Sequence, residues 1–138
     1  MARLLLEKSI RIHFGDTDPQ GILFFARTFE LAHECLEEYW ASTPQGWDFW
    51  FQNPEFAVPL RHASADFRSP ARAGELCSAQ LHLSRIGNSS VDFKFELYNQ
   101  TGSLLATTST THVFVDRLSF SKVPVPDLVR EQLEVKQP

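Results

Sequence analysis

Hydrophobic and polar residues follow two different periods along this chain. In residues 9–14 (SIRIHF) the apolar side chains alternate with polar ones, which predicts a β-strand. In residues 24–41 they recur at three- and four-residue spacing, with glutamates on the opposite side, which predicts one long amphipathic helix. The apolar side of this helix comprises Phe25, Phe29, Ala32, Leu36, Tyr39 and Trp40, and the acidic side Glu30, Glu34, Glu37 and Glu38.

Four further extended segments follow the helix. They cover residues 57–68, 75–86, 90–99 and 104–115 and are separated by the turn sequences SPARAG, GNS and NQTG. The connection before them predicts at most a short helical turn, and the proline-containing tail is compatible with another. One strand, one long helix and four strands with hairpin-length connections predict an α+β fold, an antiparallel five-stranded sheet wrapped around one central helix.

Length and composition narrow the class of protein. At 138 residues, with 43% hydrophobic and 22% charged residues, the chain is expected to form one globular domain over residues 1–138. The net charge of -4 argues against a nucleic-acid partner. Neither an apolar run of membrane-spanning length nor a signal peptide is apparent, so we expect a cytoplasmic protein with no membrane partner. Cys35 and Cys77 are expected to be buried, reduced thiols.

The sequence GDTDPQGILFF (residues 15–25) places two carboxylates directly before the helix. Asp16, Asp18 and Gly21 fit positions 1, 3 and 6 of a calcium-binding EF-hand loop, but Arg27 stands where the bidentate glutamate should be, which excludes that interpretation. Two interpretations remain. The segment is either a turn that caps the helix, or it carries a catalytic carboxylate facing a cleft whose wall is the helix N-terminus, where N–H groups can bind an oxyanion.

FGDTDPQGILFF followed by FARTFELAHECLEEYW resembles the signature of the hotdog-fold acyl-CoA thioesterases of the 4-hydroxybenzoyl-CoA thioesterase type. The resemblance implies a hotdog fold and a coenzyme A thioester substrate, and it requires no cofactor. It also implies that Asp18 is the catalytic carboxylate, that the backbone N–H near Phe25 is the oxyanion donor, and that Gly21 lets the substrate carbonyl approach the turn. Homodimers or homotetramers with sites at the subunit interface are the family's expected assembly.

Two later segments, residues 56–76 and 111–126, resemble the bacterial 1,4-dihydroxy-2-naphthoyl-CoA hydrolases of naphthoquinone (menaquinone and phylloquinone) biosynthesis. The chain has Phe24 and Phe25 where some family members carry Tyr-His. It has His33 where the 4-hydroxybenzoyl branch carries an acid, which favours a larger hydroxylated aromatic acyl group. The residues expected to bind the acyl group are Phe24, Phe29, His33, His62 and Ser64, and those expected to bind the coenzyme A phosphates are Arg85 and Lys122.

The residues leave part of the chemistry open. The five histidines have no metal-ligand spacing, and His62 and Ser64, two apart on one strand, do not make a convincing catalytic pair. Asp18 could attack the thioester itself or activate water. The alternatives are a thioesterase for 4-hydroxybenzoyl-CoA or short acyl-CoAs, another hotdog enzyme such as a dehydratase, and a non-catalytic acyl-CoA-binding module. Release of the free thiol distinguishes them.

Overall fold

A computed structural model describes residues 2–134 of the chain. Its elements, in chain order, are β1 (Arg3–Arg11), α1 (Phe25–Ser42), α2 (Trp47–Phe51), β2 (Phe56–Ala57), β3 (Leu60–Phe67), β4 (Leu76–Ile86), β5 (Ser90–Tyr98), β6 (Leu104–Val113), β7 (Val115–Asp116) and α3 (Asp127–Glu134). A single 3-10 turn, Phe14–Asp16, lies between β1 and α1. Within residues 2–134, none of the helices has the length and apolar character needed to cross a membrane.

The main sheet has five antiparallel strands in the order β1-β4-β5-β6-β3. Burial alternates strictly along β5 and along most of β4, so one face of the sheet is packed while the other is more exposed. Helix α1 lies against the packed face and buries Leu31, Leu36 and Trp40 there. The predicted α+β architecture, a sheet wrapped around one long helix, is confirmed.

The two cysteines are buried and unpaired, as expected. Burial raises the pKa of both Cys35 and Cys77 to about 11. Because the thiolate is the nucleophilic form of cysteine, neither thiol is suited to attack a thioester at neutral pH.

The first strand was predicted too short and too late in the chain. It runs over Arg3–Arg11, and a bulge between Leu4 and Leu6 shifts the alternation, so three consecutive leucines conceal the two-residue period. Phe14, predicted to pack with Ile10 and Ile12, lies instead in the 3-10 turn and is 88% exposed. The prediction failed because the strand ends at Arg11, before the chain turns towards α1.

The predicted segment 57–68 is divided, since Val58 and Pro59 separate β2 from β3. Among residues 2–134, β3 is an edge strand that pairs only with β6, and every residue in it is exposed except the half-buried Ala65. The predicted packing of Ala63 and Phe67 against one face is therefore wrong within a single protomer. At the C-terminal end of the described chain, the tail forms the eight-residue helix α3, whose Val129 and Leu133 are buried.

Candidate active site

Asp16 is the buried carboxylate of the segment before α1. Its Oδ2 accepts a hydrogen bond of 2.8 Å from the His13 N–H, and its Oδ1 accepts one of 2.8 Å from Arg27 Nε. Burial alone would raise the pKa of Asp16, but the His13 N–H and the Arg27 guanidinium together hold that pKa below its usual range. Arg27 also donates to Glu34 at 2.7 Å, so this ion pair attaches the segment to the first turns of the helix.

Asp18 is held differently. The Gly21 N–H donates to the Asp18 carbonyl at 2.9 Å, which closes a turn with Pro19 at its second position, and the Gln20 N–H donates to Asp18 Oδ1 at 2.8 Å. Gly21 has φ 81°, a left-handed conformation that glycine adopts without strain. Asp18 Oδ2 accepts no hydrogen bond from any residue between 2 and 134, so one carboxylate oxygen orients the group and the other remains available.

Helix α1 begins at Phe25 without a side-chain cap. The Phe24 N–H donates to the Asp16 carbonyl and the Arg27 N–H to the Phe24 carbonyl, both at 2.9 Å. The N–H groups of Phe25 and Ala26 donate to no acceptor in the described part of the chain. Uncapped N–H groups at the positive end of a helix dipole are suited to stabilising a negative oxygen.

Asp18 and Phe25 line a common cavity, here called the aspartate cavity, with a volume of about 350 Å³. Its other walls come from Phe67 at the end of β3, Leu97 at the end of β5, and the residues following β3. Arg68, one of those residues, is exposed and adds a positive charge to the rim. The structure therefore brings together the carboxylate, the helix start and an arginine.

A second cavity, here called the aromatic cavity, lies between α1, α2 and the sheet and also has a volume of about 350 Å³. It contains Phe29 and His33, two of the residues expected to bind the acyl group. His33 Nδ1 is 3.0 Å from Glu37 Oε2, and its ring lies 5.5 Å from that of Phe51. The remaining walls are mostly apolar and include Ala32, Leu36, Trp50, Leu60, Phe93, Phe95, Thr108, Thr110, His112, Arg117 and Phe120.

The two cavities occupy opposite ends of the same strands. On β6 the aspartate cavity reaches Ala106, whereas the aromatic cavity extends from Thr108 to His112. The distance from Ala106 to His112 along an extended strand is about 20 Å. On β3 the corresponding ends are Phe67, paired with Ala106, and Leu60, paired with His112. Within one protomer, Asp18 is therefore far from the His112 end of the aromatic cavity.

The other predicted site residues line neither cavity. Phe24 is exposed and stacks edge-on against Phe25 with ring centroids 4.9 Å apart. His62 and Ser64 are exposed on the edge strand β3.

The two residues expected to bind coenzyme A are exposed at the end of the sheet away from Asp18. Arg85 lies near the β4–β5 turn, and Lys122 lies in the segment that reaches this turn through a 2.8 Å bond from the Val125 N–H to the Asn88 carbonyl. Their role stays a prediction.

Sequence reasoning missed several cavity residues. Trp50, His112 and Arg117 lie far apart in sequence, and only the fold brings them to one cavity. A usable signal existed in β6, where Thr108, Thr110 and His112 alternate and so point to one face of the sheet. No local pattern indicated that α2 would cover that face.

Residues 12–133 match the family described as the Thioesterase-like superfamily. Because the match spans most of the 138 residues, the chain belongs to this superfamily. The five-stranded antiparallel sheet around one helix is the hotdog fold of its thioesterase structural neighbours.

Individual relatives are consistent with that membership. The chain is 31% identical to the 1,4-dihydroxy-2-naphthoyl-CoA hydrolase of Nostoc punctiforme over 91% of this chain and 84% of the relative. It is 28% identical to the enzyme of the same name from Thermosynechococcus vestitus, over 84% and 80% of the two chains. The crystal structure of a 1,4-dihydroxy-2-naphthoyl-CoA thioesterase from Synechocystis superimposes with a TM-score of 0.86 at 25% identity, covering 96% of this chain and 98% of that one.

The Asp16–Arg27 pair predicts a stability loss in Asp16→Asn. Removing the charge leaves the partly buried Arg27 without its partner, so the free energy of unfolding at pH 7 should fall by about 1–3 kcal/mol in urea titrations. Because the folded pKa of Asp16 is below its unfolded value, its contribution is present above about pH 4 and is lost in more acidic solution. The difference from the wild type should therefore shrink as the pH falls below about 4.

The matched control is Glu34→Gln, which removes the exposed partner of the same arginine and should change stability by less than about 1 kcal/mol. Equal stability of Asp16→Asn and wild type at pH 7, or a difference that persists unchanged in acid, would show that Asp16 does not hold the segment in place.

Proposed function

We propose that this protein hydrolyses an aromatic acyl-CoA thioester, with Asp18 as its catalytic carboxylate and the start of α1 as its oxyanion site. The observation that carries the proposal is the aspartate cavity, in which a carboxylate with one free oxygen shares a wall with Phe25, whose N–H has no acceptor among residues 2–134. The membership in a thioesterase superfamily supports the same reaction.

The proposed reaction places the thioester carbonyl oxygen at the N–H groups of Phe25 and Ala26. Asp18 Oδ2 then either attacks the carbonyl carbon, forming an anhydride that water hydrolyses, or accepts a proton from the water that attacks. Both routes break the carbon–sulfur bond and release a carboxylic acid and the coenzyme A thiol. In both, the negative charge that develops on the carbonyl oxygen is stabilised more in the transition state than in the substrate.

The geometry of β3 supports a site that two subunits share. Its outer edge has no partner strand among the described residues, and an unpaired edge can accept a second copy of the same strand. Antiparallel pairing about a two-fold axis would bring the Leu60 end of one β3 beside the Phe67 end of its copy. The aspartate cavity of one protomer would then adjoin the aromatic cavity of the other.

The lining of the aromatic cavity supports an aromatic acyl group. Phe29, Trp50, Phe93 and Phe95 present ring faces and edges, against which a flat acyl group packs with little loss of rotamer freedom. We propose 1,4-dihydroxy-2-naphthoyl-CoA as the substrate, after the named relatives, with 4-hydroxybenzoyl-CoA as the smaller alternative.

The wider setting follows from the sequence resemblance. We propose that residues 1–138 form one thioesterase domain, that dimers pair into tetramers, and that the enzyme acts in cytoplasmic naphthoquinone biosynthesis. Arg85 and Lys122 remain the candidate residues for binding the coenzyme A phosphates. Arg68 is a third candidate, because it lies on the rim of the aspartate cavity.

Asp18→Asn keeps the shape of the turn and removes the charge, so kcat/KM for thiol release should fall by at least about 100-fold, as is typical of lost acid–base catalysis. The melting temperature should change little, because Asp18 Oδ1 can be replaced by the amide oxygen in its bond to Gln20. Asp127→Asn, at the start of α3 and outside both cavities, is the matched control and should retain wild-type turnover. Substantial residual activity in Asp18→Asn would assign the role to another group.

The β3 edge predicts a homodimer or larger assembly in sedimentation velocity. Because successive N–H groups on a strand point to opposite sides, proline substitution at Ala63 and Ser64, made separately, should block the open edge in one variant and the β6 pairing in the other. The variant in which proline blocks the open edge should stay folded but become monomeric and inactive. A 15.8 kDa species with full activity, in either the wild type or that variant, would refute the shared site.

The aromatic cavity predicts an order of substrates in kcat/KM. We expect 1,4-dihydroxy-2-naphthoyl-CoA to be preferred over 4-hydroxybenzoyl-CoA by about tenfold, because the second ring buries more apolar surface. Both should be preferred over acetyl-CoA and hexanoyl-CoA. Equal or faster hydrolysis of the aliphatic thioesters would contradict the aromatic assignment.

A further inference from the structure

The aromatic cavity contains a histidine that the proposed reaction does not use. His112 lies near the end of β6, lines the cavity and is only 6% exposed. The rings of Phe93 and Trp50 pack edge-on against it, with centroids 5.4 and 6.0 Å away. The position is therefore apolar on two sides and faces the acyl-binding space on another.

The ring of His112 is held in its neutral form. Burial lowers its pKa to about 4 and the proximity of His33 acts in the same direction, while Asp92 and the Val58 backbone only partly oppose them. A neutral imidazole carries its proton on one ring nitrogen and keeps a free lone pair on the other. Arg117, which carries a positive charge, also lies on the wall of this cavity.

A hydrogen-bond acceptor on the wall of a mostly apolar cavity is complementary to a hydrogen-bond donor on the ligand. Among residues 2–134, no side chain forms a hydrogen bond with the His112 ring. An aromatic ring without a donor would leave the lone pair unpaired after water is expelled, which costs binding energy. A phenolic hydroxyl on the part of the ring away from the thioester would satisfy it.

We propose that His112 accepts a hydrogen bond from a ring hydroxyl of the bound acyl group and thereby selects hydroxylated over unsubstituted aromatic acyl groups. The inference rests on the proposed function. In a 1,4-dihydroxy-2-naphthoyl group, the hydroxyl at ring position 1 is next to the thioester carbonyl and bonds to it internally. The hydroxyl at position 4 is therefore the free donor for His112.

The test compares two thioesters that differ only in this hydroxyl, 1,4-dihydroxy-2-naphthoyl-CoA and 1-hydroxy-2-naphthoyl-CoA, under anaerobic conditions. The ratio of their kcat/KM values does not depend on the fraction of correctly folded enzyme. We expect the wild type to favour the dihydroxy substrate by about tenfold, the effect of one neutral hydrogen bond. His112→Phe should bring the ratio close to one, and His112→Gln, which keeps an acceptor, should restore most of it.

His82→Phe is the matched control, because it makes the same change on the neighbouring part of the sheet outside the cavity and should leave the ratio unchanged. An unchanged ratio in His112→Phe, or a ratio that falls only in His33→Gln, would overturn the proposal. A wild type with no preference for the dihydroxy substrate would overturn it too.

Calorimetric binding of the two free hydroxynaphthoic acids separates this inference from the proposed function. If the wild type hydrolyses neither thioester, the proposed function fails. The His112 inference then stands only if the dihydroxy acid binds more tightly to the wild type than to His112→Phe, and it fails if that difference is absent.

Discussion

The ion pair between Asp16 and Arg27 is the interaction on which the arrangement of the site depends. It attaches the segment after β1 to the first turn of α1. The buried carboxylate accepts hydrogen bonds from the His13 N–H and from the Arg27 guanidinium. With Asp16 committed to this role, Asp18 two residues later is carried on a turn that uses only one of its oxygens. The same attachment positions the uncapped N–H groups of Phe25 and Ala26 beside that turn. Two aspartates that look equivalent in sequence thus have different environments, one structural and one available for chemistry.

The second constraint is the long sheet that α1 covers only in part. The helix contributes Phe25 to the cavity at one end of the strands and Phe29 and His33 to the cavity at the other. A substrate with a reactive thioester and a large acyl group needs both environments within the length of a single ligand. Within one protomer the two cavities approach each other at Ala106 and Thr108 on β6, but the His112 end of the aromatic cavity lies about 20 Å from Ala106. Two protomers joined at β3 would bring that far end of one aromatic cavity beside the aspartate cavity of the other. In the proposed dimer, the open edge strand would be part of the active site as well as the place of assembly.

Much of the fold could be predicted because its signals are local. Helix α1 follows from apolar side chains at helical spacing, and β4, β5 and β6 follow from alternation between clear turns. The failures have identifiable causes. A bulge disguised β1, Pro59 divided a predicted strand, and Phe25 was assigned to the buried side of α1 although it is 59% exposed at the helix start. The apolar residues of β3 looked like a packed face because the sequence contains no sign that this strand is an edge.

The site was predictable only in the part that is contiguous in sequence. The turn from Asp18 to Gly21 and the start of α1 are neighbours in the chain, and the structure brings Asp18 and Phe25 to one cavity. The aromatic cavity joins α1, α2, the sheet and the segment after β7, so no local pattern linked Trp50, or the alternating face of β6 that carries His112, to the site. His62 and Ser64, inferred from resemblance, lie exposed on the edge strand β3 and line neither cavity.

Subunit complementation tests the shared site most directly. Asp18→Asn removes the carboxylate, and Val58→Trp fills the aromatic cavity from a loop on its wall, so each variant alone should be nearly inactive. When the two are unfolded and refolded together in equal amounts, about half of the dimers contain one of each, and every mixed dimer has one site with both the carboxylate and an open cavity. A shared site predicts recovery of about a quarter of the wild-type activity, since one site in four is then intact. If each protomer held a complete site, no mixture could contain an intact one, and activity no higher than that of the separate variants would rule out the shared site.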